Sequence, residues 1–451
     1  MTKMSRRQFG TLVGSAGVGL AATGGLSGFA IAQAAPKVVI VGGGAGGATV
    51  AHYLKKGDAK LDITVIEPNP IYSSSFFSNL YLGGLRSFAS LNHGYEGLRG
   101  LGIKVVHDFA TGVDSAKKTV STRAGKTLAY DRLIISPGID MKYDSVPGYS
   151  KDLSGRFPHA YQTMGRGKQQ LMAALNDMPD GGVFAMVMPP EPYRCPPGPY
   201  ERACMIAHYI KTKKPKSKLV ILDPKKAFSK QPVFLEGFDK YYKGIIEINL
   251  STEIDDFSVA QLDATAKVIT TKGGKKIKFD AANIIPAQKA GEIATKAGIA
   301  SGDWVPVDPE NFASKANKDI YALGDATVGA PMPKSAFSAN SQAKVVAADI
   351  LAELSKKDKF PARYRNTCWS LIAPDDCIKV GANYAPKEGK LDATGPFVSQ
   401  KGEDAAIRKQ NFVESVGWYD GIITDMFAKT AAPAAPAAPA APAAPAKKSA
   451  G

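Results

Sequence analysis

Short, fully apolar runs recur along the chain, and most of them end in glycine, proline or acidic residues. Runs that are apolar at consecutive positions are typical of parallel strands buried on both faces. We predict strands at residues 38–41, 63–66, 103–107, 130–136, 183–188, 219–223 and 320–327. Alanine-rich segments such as 336–353 lie between or after these runs and favour helices. The alternation predicts an α/β fold built from βαβ units.

The first predicted strand leads into three glycines in G-x-G-x-x-G spacing, Gly42, Gly44 and Gly47. In such a turn the first glycine makes the tight bend and the second lets a pyrophosphate approach the backbone. The third lets helix and strand pack closely. The next predicted strand ends at Glu67, where a carboxylate suits a ribose hydroxyl. The segment predicts a dinucleotide site at a helix N-terminus; the alternative is a purely structural glycine turn.

A second βαβ unit is predicted to open with the strand at 183–188. A pyridine-nucleotide reductase has another glycine-rich turn at this point, whereas this chain has a proline-rich segment, 189–199, that contains Cys195. Prolines lack the N–H groups that hold a pyrophosphate, and their fixed φ prevents the required turn. We therefore expect that this unit does not bind NAD(P)H.

Composition excludes several functional classes. The chain has 451 residues, of which 44% are hydrophobic and 22% charged, as in ordinary globular proteins. Its net charge is +16, but no basic cluster is interleaved with aromatic residues, so nucleic-acid binding is not expected. A basic body better suits an anionic small substrate or an acidic protein partner. The four cysteines form no C-x-x-C pair and the five histidines are scattered, so we expect no metal site.

The two ends of the chain have distinct compositions. Residues 1–34 combine a twin-arginine motif at Arg6 and Arg7, an apolar stretch rich in small residues, and an A-x-A cleavage site ending at Ala34. They predict a twin-arginine signal peptide, export to the periplasm, and no integral membrane segment after its removal. Residues 430–451 repeat alanine and proline and predict a disordered tail.

Several longer motifs resemble one family of flavoproteins. They are GGGAGGATVAHYL, RCPPGPYERA around Cys195, YALGDAT, PKSAFSANSQAK, and NTCWSLIAP around Cys368. Together with the export signal, they resemble the flavoprotein subunit of flavocytochrome c sulfide dehydrogenase, a glutathione-reductase-like flavoprotein. The resemblance implies bound FAD, hydrosulfide as substrate, and a redox-active disulfide between Cys195 and Cys368. It also implies a separate c-type cytochrome that carries the haem and accepts electrons.

One position departs from the family pattern. Well-known members have a cysteine, linked covalently to the flavin, in the loop after the ribose-binding acid; alignment on the pair Ser78 and Asn79 places Ser75 there. Serine cannot form the thioether, so we expect FAD to be bound non-covalently. Asn79 belongs to the same loop and is a predicted cofactor contact. Cys204 and Cys377 are additional to the pattern and receive no predicted role.

The residues around Cys195 suggest a reactive sulfur. Cys195 lies just before a predicted helix N-terminus, between Arg194 and Arg202, and both features favour a thiolate once a disulfide opens. Glu201 follows on the first turn and is a candidate for moving protons there, with a surface or capping acid as the alternative. For the cysteines, the alternative is a structural disulfide in an exported protein.

Further flavin contacts are predicted where apolar strands end. Pro137 and Gly138 close the strand at 130–136, and Asp325 ends the strand at 320–327 as a contact to the ribityl chain. Lys334 and Ser335 open the helix at 336–353, whose N-terminus would face the flavin ring. Lys334 would stabilise a reduced, anionic flavin, or else be a solvated lysine at the start of a helix.

The complete prediction is two Rossmann-like βαβ domains of the FAD/NAD(P)-reductase type and a smaller C-terminal α+β interface domain. An FAD-binding domain comprises 35–148 and 281–362, the second Rossmann-like domain 149–280, and the interface domain 363–429. Two other functions compete with the sulfide dehydrogenase. One is a sulfide:quinone oxidoreductase, which would need an apolar quinone pocket and a membrane-facing amphipathic region. The other is an accessory redox flavoprotein that maintains thiols on a sulfur-oxidation complex.

Overall fold

A computed structural model describes residues 35–162, 165–252 and 256–428. The chain divides after Ala35, and every element below belongs to the unit that begins at Pro36. The predicted signal peptide and the predicted tail therefore lie outside the described residues.

The α-helices of these ranges are α1 (Ala45–Gly57), α2 (Ser78–Leu82), α3 (Glu96–Gly100), α4 (Arg166–Asp177), α5 (Gly198–Lys213), α6 (Gln231–Tyr242), α7 (Ile293–Lys296), α8 (Ala336–Ser355) and α9 (Ala405–Phe427). The strands are β1 (Lys37–Val41), β2 (Asp62–Ile66), β3 (Ile71–Ser73), β4 (Asn92–Gly94), β5 (Lys104–Val106), β6 (Ala110–Asp114), β7 (Thr119–Thr122), β8 (Thr127–Ala129), β9 (Arg132–Ile135), β10 (Ile139–Lys142), β11 (Val183–Val187), β12 (Lys218–Asp223), β13 (Ile246–Leu250), β14 (Val259–Asp263), β15 (Val268–Thr271), β16 (Lys276–Lys278), β17 (Ala281–Ile284), β18 (Ala287–Ala290), β19 (Val305–Pro306), β20 (Ile320–Ala322), β21 (Thr327–Val328), β22 (Tyr364–Ala373), β23 (Asp376–Lys387) and β24 (Lys390–Val398).

Two parallel sheets form the centre of the fold. The first has the order β20-β9-β1-β2-β5 and the second the order β13-β12-β11-β17, with every pairing parallel. The first sheet takes strands from both ends of the unit, since β20 pairs with β9 although nearly two hundred residues separate them. Their apolar runs are buried because helices cover one face of each sheet and a three-stranded antiparallel sheet, β6-β7-β8 or β14-β15-β16, covers the other. On the helical face of the first sheet, α1 packs against α8.

The C-terminal part adds an antiparallel sheet, β22-β23-β24, with α9 packed on β23. Arg408 of α9 joins this layer to the second parallel sheet, because its guanidinium contacts three carboxylates. Arg408 Nη2 lies 3.2 Å from Glu236 of α6, Nη1 lies 3.0 Å from Asp376 of β23, and Nε lies 2.7 Å from Glu403. The C-terminal layer is thus held against α6 by a largely buried cation, and this holds β22, with Cys368, in place.

These sheets confirm the predicted α/β class with two Rossmann-like units and a smaller α+β part. The predicted apolar runs lie on strands of the two parallel sheets, with boundaries that differ by a few residues. One run is shorter than predicted: β20 ends at Ala322, and a 3₁₀ turn, Gly324–Ala326, follows. Two three-stranded antiparallel sheets, β6-β7-β8 and β14-β15-β16, were not predicted from the apolar runs, because their strands expose one face and are not uniformly apolar.

Candidate active site

One cavity lies where the carboxyl end of the first parallel sheet meets the N-terminal ends of α1, α5 and α8. Its empty volume is about 1500 Å³ with its open mouth included. Of the predicted site residues, all except Gly47 and Lys334 line this cavity.

The glycines of the first turn form a cradle at one end of the cavity. Gly42 has φ +98°, and a Cβ there would lie 2.2 Å from the carbonyl oxygen of Ser136. A Cβ on Gly47 would lie 1.8 Å from the carbonyl oxygen of Gly42, so Gly47 permits helix–strand contact rather than lining the cavity. An added Cβ on Gly44 would be in ordinary van der Waals contact with the Tyr72 ring, at 3.7 Å, and no side chain caps α1. The free N–H groups of α1 fit a pyrophosphate.

Glu67 lies beside this cradle and is buried. Its Oε2 accepts a hydrogen bond from Gly43 N at 2.9 Å, and its Oε1 accepts from the backbone and side-chain nitrogens of Asn69. These contacts fix the carboxylate at the end of β2 while leaving it in the cavity wall, as a ribose contact requires.

Two buried polar atoms in the cavity wall have no hydrogen-bond partner, Ser75 Oγ and Asp325 Oδ1. Buried polar groups are normally satisfied, so each indicates a polar ligand group at that place. The other oxygen of Asp325, Oδ2, is held by Arg194 Nε at 2.6 Å, which directs Oδ1 toward the cavity. Pro137 and Gly138 follow β9 and complete this wall of the cavity, and Gly138 has φ +69°. This donor and acceptor set fits FAD.

A chain of hydrogen bonds links the start of α8 to Cys368. Ser335 caps α8 by accepting from Ser338 N at 3.0 Å, and its Oγ donates to Asn366 Oδ1 at 2.6 Å. Asn366 Nδ2 in turn donates to Cys368 Sγ at 3.4 Å. The helix that was predicted to face the flavin ring thus also positions one of the two predicted redox sulfurs.

Cys195 faces the same cavity from the loop before α5. Its backbone has φ +58°, and its Sγ lies against Gly198, where an added Cβ would come within 2.8 Å of the sulfur. The structure brings Cys195 and Cys368 to one cavity, without an S–S bond between them. A reversible disulfide passes through a dithiol form of this kind.

In the described part of the chain, neither arginine predicted to favour a thiolate at Cys195 donates a hydrogen bond to its sulfur, although the charge of Cys195 acts on Arg202. Arg194 turns away to Asp325 and to the Tyr161 carbonyl, and Arg202 is engaged by Asn79, Asn283 and backbone carbonyls. These hydrogen bonds hold each guanidinium in place, because a buried cation needs more acceptors than one thiol can supply.

Lys230 supplies a further cation, which was not predicted from the sequence. It directly precedes α6, is buried, and donates from Nζ to the Cys368 carbonyl at 3.2 Å and to Ser370 Oγ at 2.8 Å. Burial raises the pKa of Cys195, Cys368 and Cys377, and the charge of Lys230 opposes this rise. No pattern in the sequence distinguishes this lysine from the other basic residues of the chain.

Glu201 lies in the cavity wall on the first turn of α5. Its Oε2 accepts from Asn79 Nδ2 at 2.7 Å, and its Oε1 accepts from Leu371 N at 2.8 Å. Burial raises the pKa of Glu201 above the ordinary range of a glutamic acid, whereas these hydrogen bonds oppose the rise. A carboxyl with a raised pKa beside two thiols is suited to proton transfer.

Lys334 does not reach the cavity. Its Nζ donates to the carbonyls of Asp325 and Thr327 and lies 3.6 Å from the centre of the Trp304 ring, and burial lowers its pKa to about 8. The prediction that Lys334 contacts the flavin is therefore not supported. The Lys334 side chain holds the turn of Asp325 in place. The backbone carbonyl of Lys334 accepts a hydrogen bond from Cys195 N at 2.7 Å.

The position of a second dinucleotide is filled by protein side chains. Asp223 ends β12, where a reductase would use an acid for ribose, but it is completely buried. Its Oδ2 accepts from Tyr200 OH at 2.5 Å and its Oδ1 from Lys225. The Tyr200 ring stacks on Phe228 with centroids 3.7 Å apart. These contacts leave the Asp223 carboxylate buried and engaged by protein groups.

Aromatic side chains form the opposite wall of the cavity. Trp418 of α9 lies 5.5 Å from Trp369, 6.0 Å from Phe337 and 5.4 Å from Phe76, measured between ring centroids.

The remaining cysteines differ in position. Cys377 lines the cavity, whereas Cys204 is completely buried in the core beneath α5.

Comparisons with known proteins agree with this geometry. Family models of the flavocytochrome c sulfide dehydrogenase flavoprotein match residues 168–286 (its central part) and 360–427 (flavin-binding), and a pyridine nucleotide-disulphide oxidoreductase model matches 36–177. The mitochondrial sulfide:quinone oxidoreductase of Dictyostelium discoideum is 24% identical over 325 residues, 70% of each chain.

Two further similarities differ in extent. The sulfide dehydrogenase [flavocytochrome c] flavoprotein chain of Chlorobaculum thiosulfatiphilum is 46% identical over 43 residues, 10% of this chain and 90% of that sequence. The structure of sulfide:quinone oxidoreductase from Aquifex aeolicus shares the fold, with a TM-score of 0.64 and 17% identity, over 88% of this chain and 93% of that chain.

Two cysteines face one cavity that fits FAD, and the segments that carry them match models of sulfide-oxidising flavoproteins. Over these segments the chain is similar to FAD-dependent, sulfide-oxidising oxidoreductases.

Proposed function

We propose that this protein is the flavoprotein of a periplasmic sulfide dehydrogenase that passes electrons to a c-type cytochrome. The observation that carries the proposal is the convergence of Cys195, Cys368 and the FAD cradle on one cavity. Support for cytochrome as acceptor comes from the flavocytochrome c models, which match the two segments that hold these cysteines. The basic net charge of +16 also suits an acidic redox partner.

In the proposed reaction, hydrosulfide attacks a Cys195–Cys368 disulfide. One S–S bond forms and one breaks, so one cysteine becomes a persulfide and the other a thiolate, and the charge of −1 is conserved. FAD, when bound in the cradle, supplies the two-electron acceptor for this sulfur pair. Glu201 holds or releases a proton beside the two sulfurs, and the aromatic wall excludes water from them.

A sulfide:quinone oxidoreductase is the second candidate. It is supported by the mitochondrial relative and by the apolar wall of Phe76, Phe337, Trp369 and Trp418, which suits a quinone ring. Within the described ranges, no helix combines the length and the apolar character needed to cross a membrane.

The acceptor is tested by anaerobic stopped-flow absorbance of the FAD-loaded protein mixed with sulfide. We expect rapid flavin bleaching, followed by haem reduction when cytochrome c is added. Reoxidation of the flavin by a soluble ubiquinone analogue but not by cytochrome c would replace the proposal with the quinone enzyme. Flavin reduction by sulfide without transfer to either acceptor would favour the accessory redox protein, and a co-purifying thiol-bearing carrier would support that outcome.

Export is part of the proposal and has its own test. Changing Arg6 and Arg7 of the predicted signal to lysine should leave the precursor in the cytoplasm, because the twin-arginine route requires that pair. Cell fractionation with an antibody measures the distribution. Unchanged recovery from the periplasm would refute export by this route.

A further inference from the structure

A buried ammonium group lies among the sulfurs of the cavity. Lys230 is 6% exposed, and its Nζ donates to the Cys368 carbonyl and to Ser370 Oγ. Among the ion pairs of the described residues, none joins Lys230 to a carboxylate within 4.0 Å. A buried lysine normally has a carboxylate partner, because an unpaired charge is costly to bury. The two contacts to neutral oxygens leave its positive charge uncompensated.

The nearest anionic candidates are the three cavity thiols and one carboxyl. Cys195, Cys368, Cys377 and Glu201 each act electrostatically on Lys230 and raise its pKa, whereas burial lowers it. The Lys230 Nζ also lies 5.7 Å from the centre of the Phe234 ring, on the helix that Lys230 precedes. Arg194 is paired with Asp325 and Arg202 is hydrogen-bonded to other acceptors, whereas Lys230 has no carboxylate partner among the described ion pairs and can balance negative charge on sulfur.

We propose that Lys230 is the positioning residue that stabilises the thiolate formed when hydrosulfide opens the Cys195–Cys368 disulfide. The inference rests on the proposed function and assigns it a charge-balancing group. Hydrosulfide brings one negative charge into a largely apolar cavity, and the step transfers that charge to a cysteine sulfur. A fixed ammonium beside Cys368 offsets the desolvation of both the entering and the leaving anion.

The test compares Lys230→Met with Lys230→Arg and with Lys168→Met as a matched control. Lys168 is also buried and also donates to backbone carbonyls, those of Ser73 and Gln162, but it does not line the cavity. The first readout is independent of turnover. The dithiol form of each FAD-loaded protein is alkylated with iodoacetamide from pH 6 to 10, and peptide mass spectrometry follows Cys195 and Cys368.

We expect Lys230→Met to slow alkylation of Cys368 by about tenfold or more at a given pH, since an opposite charge nearby shifts a thiol pKa by roughly one to three units. Lys230→Arg should restore most of the rate, and Lys168→Met should match the wild type. The second readout, the rate of flavin reduction by sulfide in a single turnover, should fall in parallel. If Lys230→Met does not fold, Lys230→Gln removes the charge and keeps a hydrogen-bond donor.

Equal alkylation profiles for the wild type and the charge-removing variant would overturn the role of Lys230. So would an equal slowing by Lys168→Met, because that would indicate a general packing defect. If sulfide fails to reduce the wild-type flavin, the proposed function fails, and the alkylation result still decides the electrostatic role of Lys230.

Discussion

At the scale of single residues, Cys195 and Cys368 are expected to act as a pair. Replacing either with serine leaves one thiol and no S–S bond for hydrosulfide to attack, so sulfide-driven flavin reduction should fall to background. FAD content should survive because the cradle is built from other residues, such as Gly42 and Asp325. Stopped-flow absorbance with the flavin content of each preparation measures both.

The control for that pair is Cys204→Ala. Cys204 lies in the core and away from the cavity, so its loss should cost about 1 kcal/mol of stability and leave the rate per flavin unchanged. Cys377 is not an equivalent control because it lines the cavity. A purely structural bridge would give the opposite pattern, with a loss of roughly 2–5 kcal/mol and normal activity per flavin.

Ser75 makes a second prediction at this scale. Its hydroxyl faces the cavity without a partner and cannot form a thioether, so FAD should be held by non-covalent contacts alone. Precipitation with acid should release essentially all of the yellow colour into the supernatant. Colour that stays with the pellet would show a covalent link at some other residue.

Glu201 gives a prediction about pH. Burial raises its pKa on folding, so the folded protein binds more protons than the unfolded chain between the two pKa values. The stability that this group contributes is therefore complete at low pH and is lost as the pH rises. Glu201→Gln should flatten the fall of melting temperature as the pH rises above the ordinary pKa of a glutamic acid. An unchanged pH slope would contradict a raised pKa.

At the scale of elements, β11, α5 and β12 retain the Rossmann arrangement without an accessible site. Because Asp223 is engaged by Tyr200 and Lys225, and prolines occupy the turn, NADH and NADPH should not reduce the flavin at a useful rate. Anaerobic absorbance after adding each nucleotide, with sulfide as the positive control, measures this. Rapid bleaching by NADH would show that the turn binds nucleotide after all.

The elements also show what sequence can predict. Buried strands such as β1 and β11 were predicted because burial on both faces requires continuous apolar runs, and Gly42 and Gly47 were predicted because each close contact allows only glycine. The role proposed for Lys230 was not predicted, because it depends on a contact between the start of α6 and β22. The two residues in that contact, Lys230 and Cys368, are 138 positions apart in the sequence. Nor does a sequence show that Arg194 turns toward Asp325 rather than toward Cys195.

At the scale of the whole molecule, Arg408 connects the C-terminal layer to the second parallel sheet. Arg408→Met would leave Glu236, Asp376 and Glu403 close together without their cation. We expect a loss of about 3–5 kcal/mol in the free energy of unfolding, measured by denaturant titration of the FAD-loaded protein. Lys409→Met, the exposed neighbour, should change it by less than about 0.5 kcal/mol. Equal midpoints for the two variants would contradict this connecting role.

The closed position around Asp223 has a consequence for the cell. A fold of this kind with two open dinucleotide sites equilibrates its flavin with the nicotinamide pool. On the proposed function, the contacts of Tyr200 with Asp223 and Phe228 would keep the flavin from exchanging electrons with that pool. Electrons taken from sulfide would then pass to a respiratory carrier, and reducing power for biosynthesis would come from another enzyme.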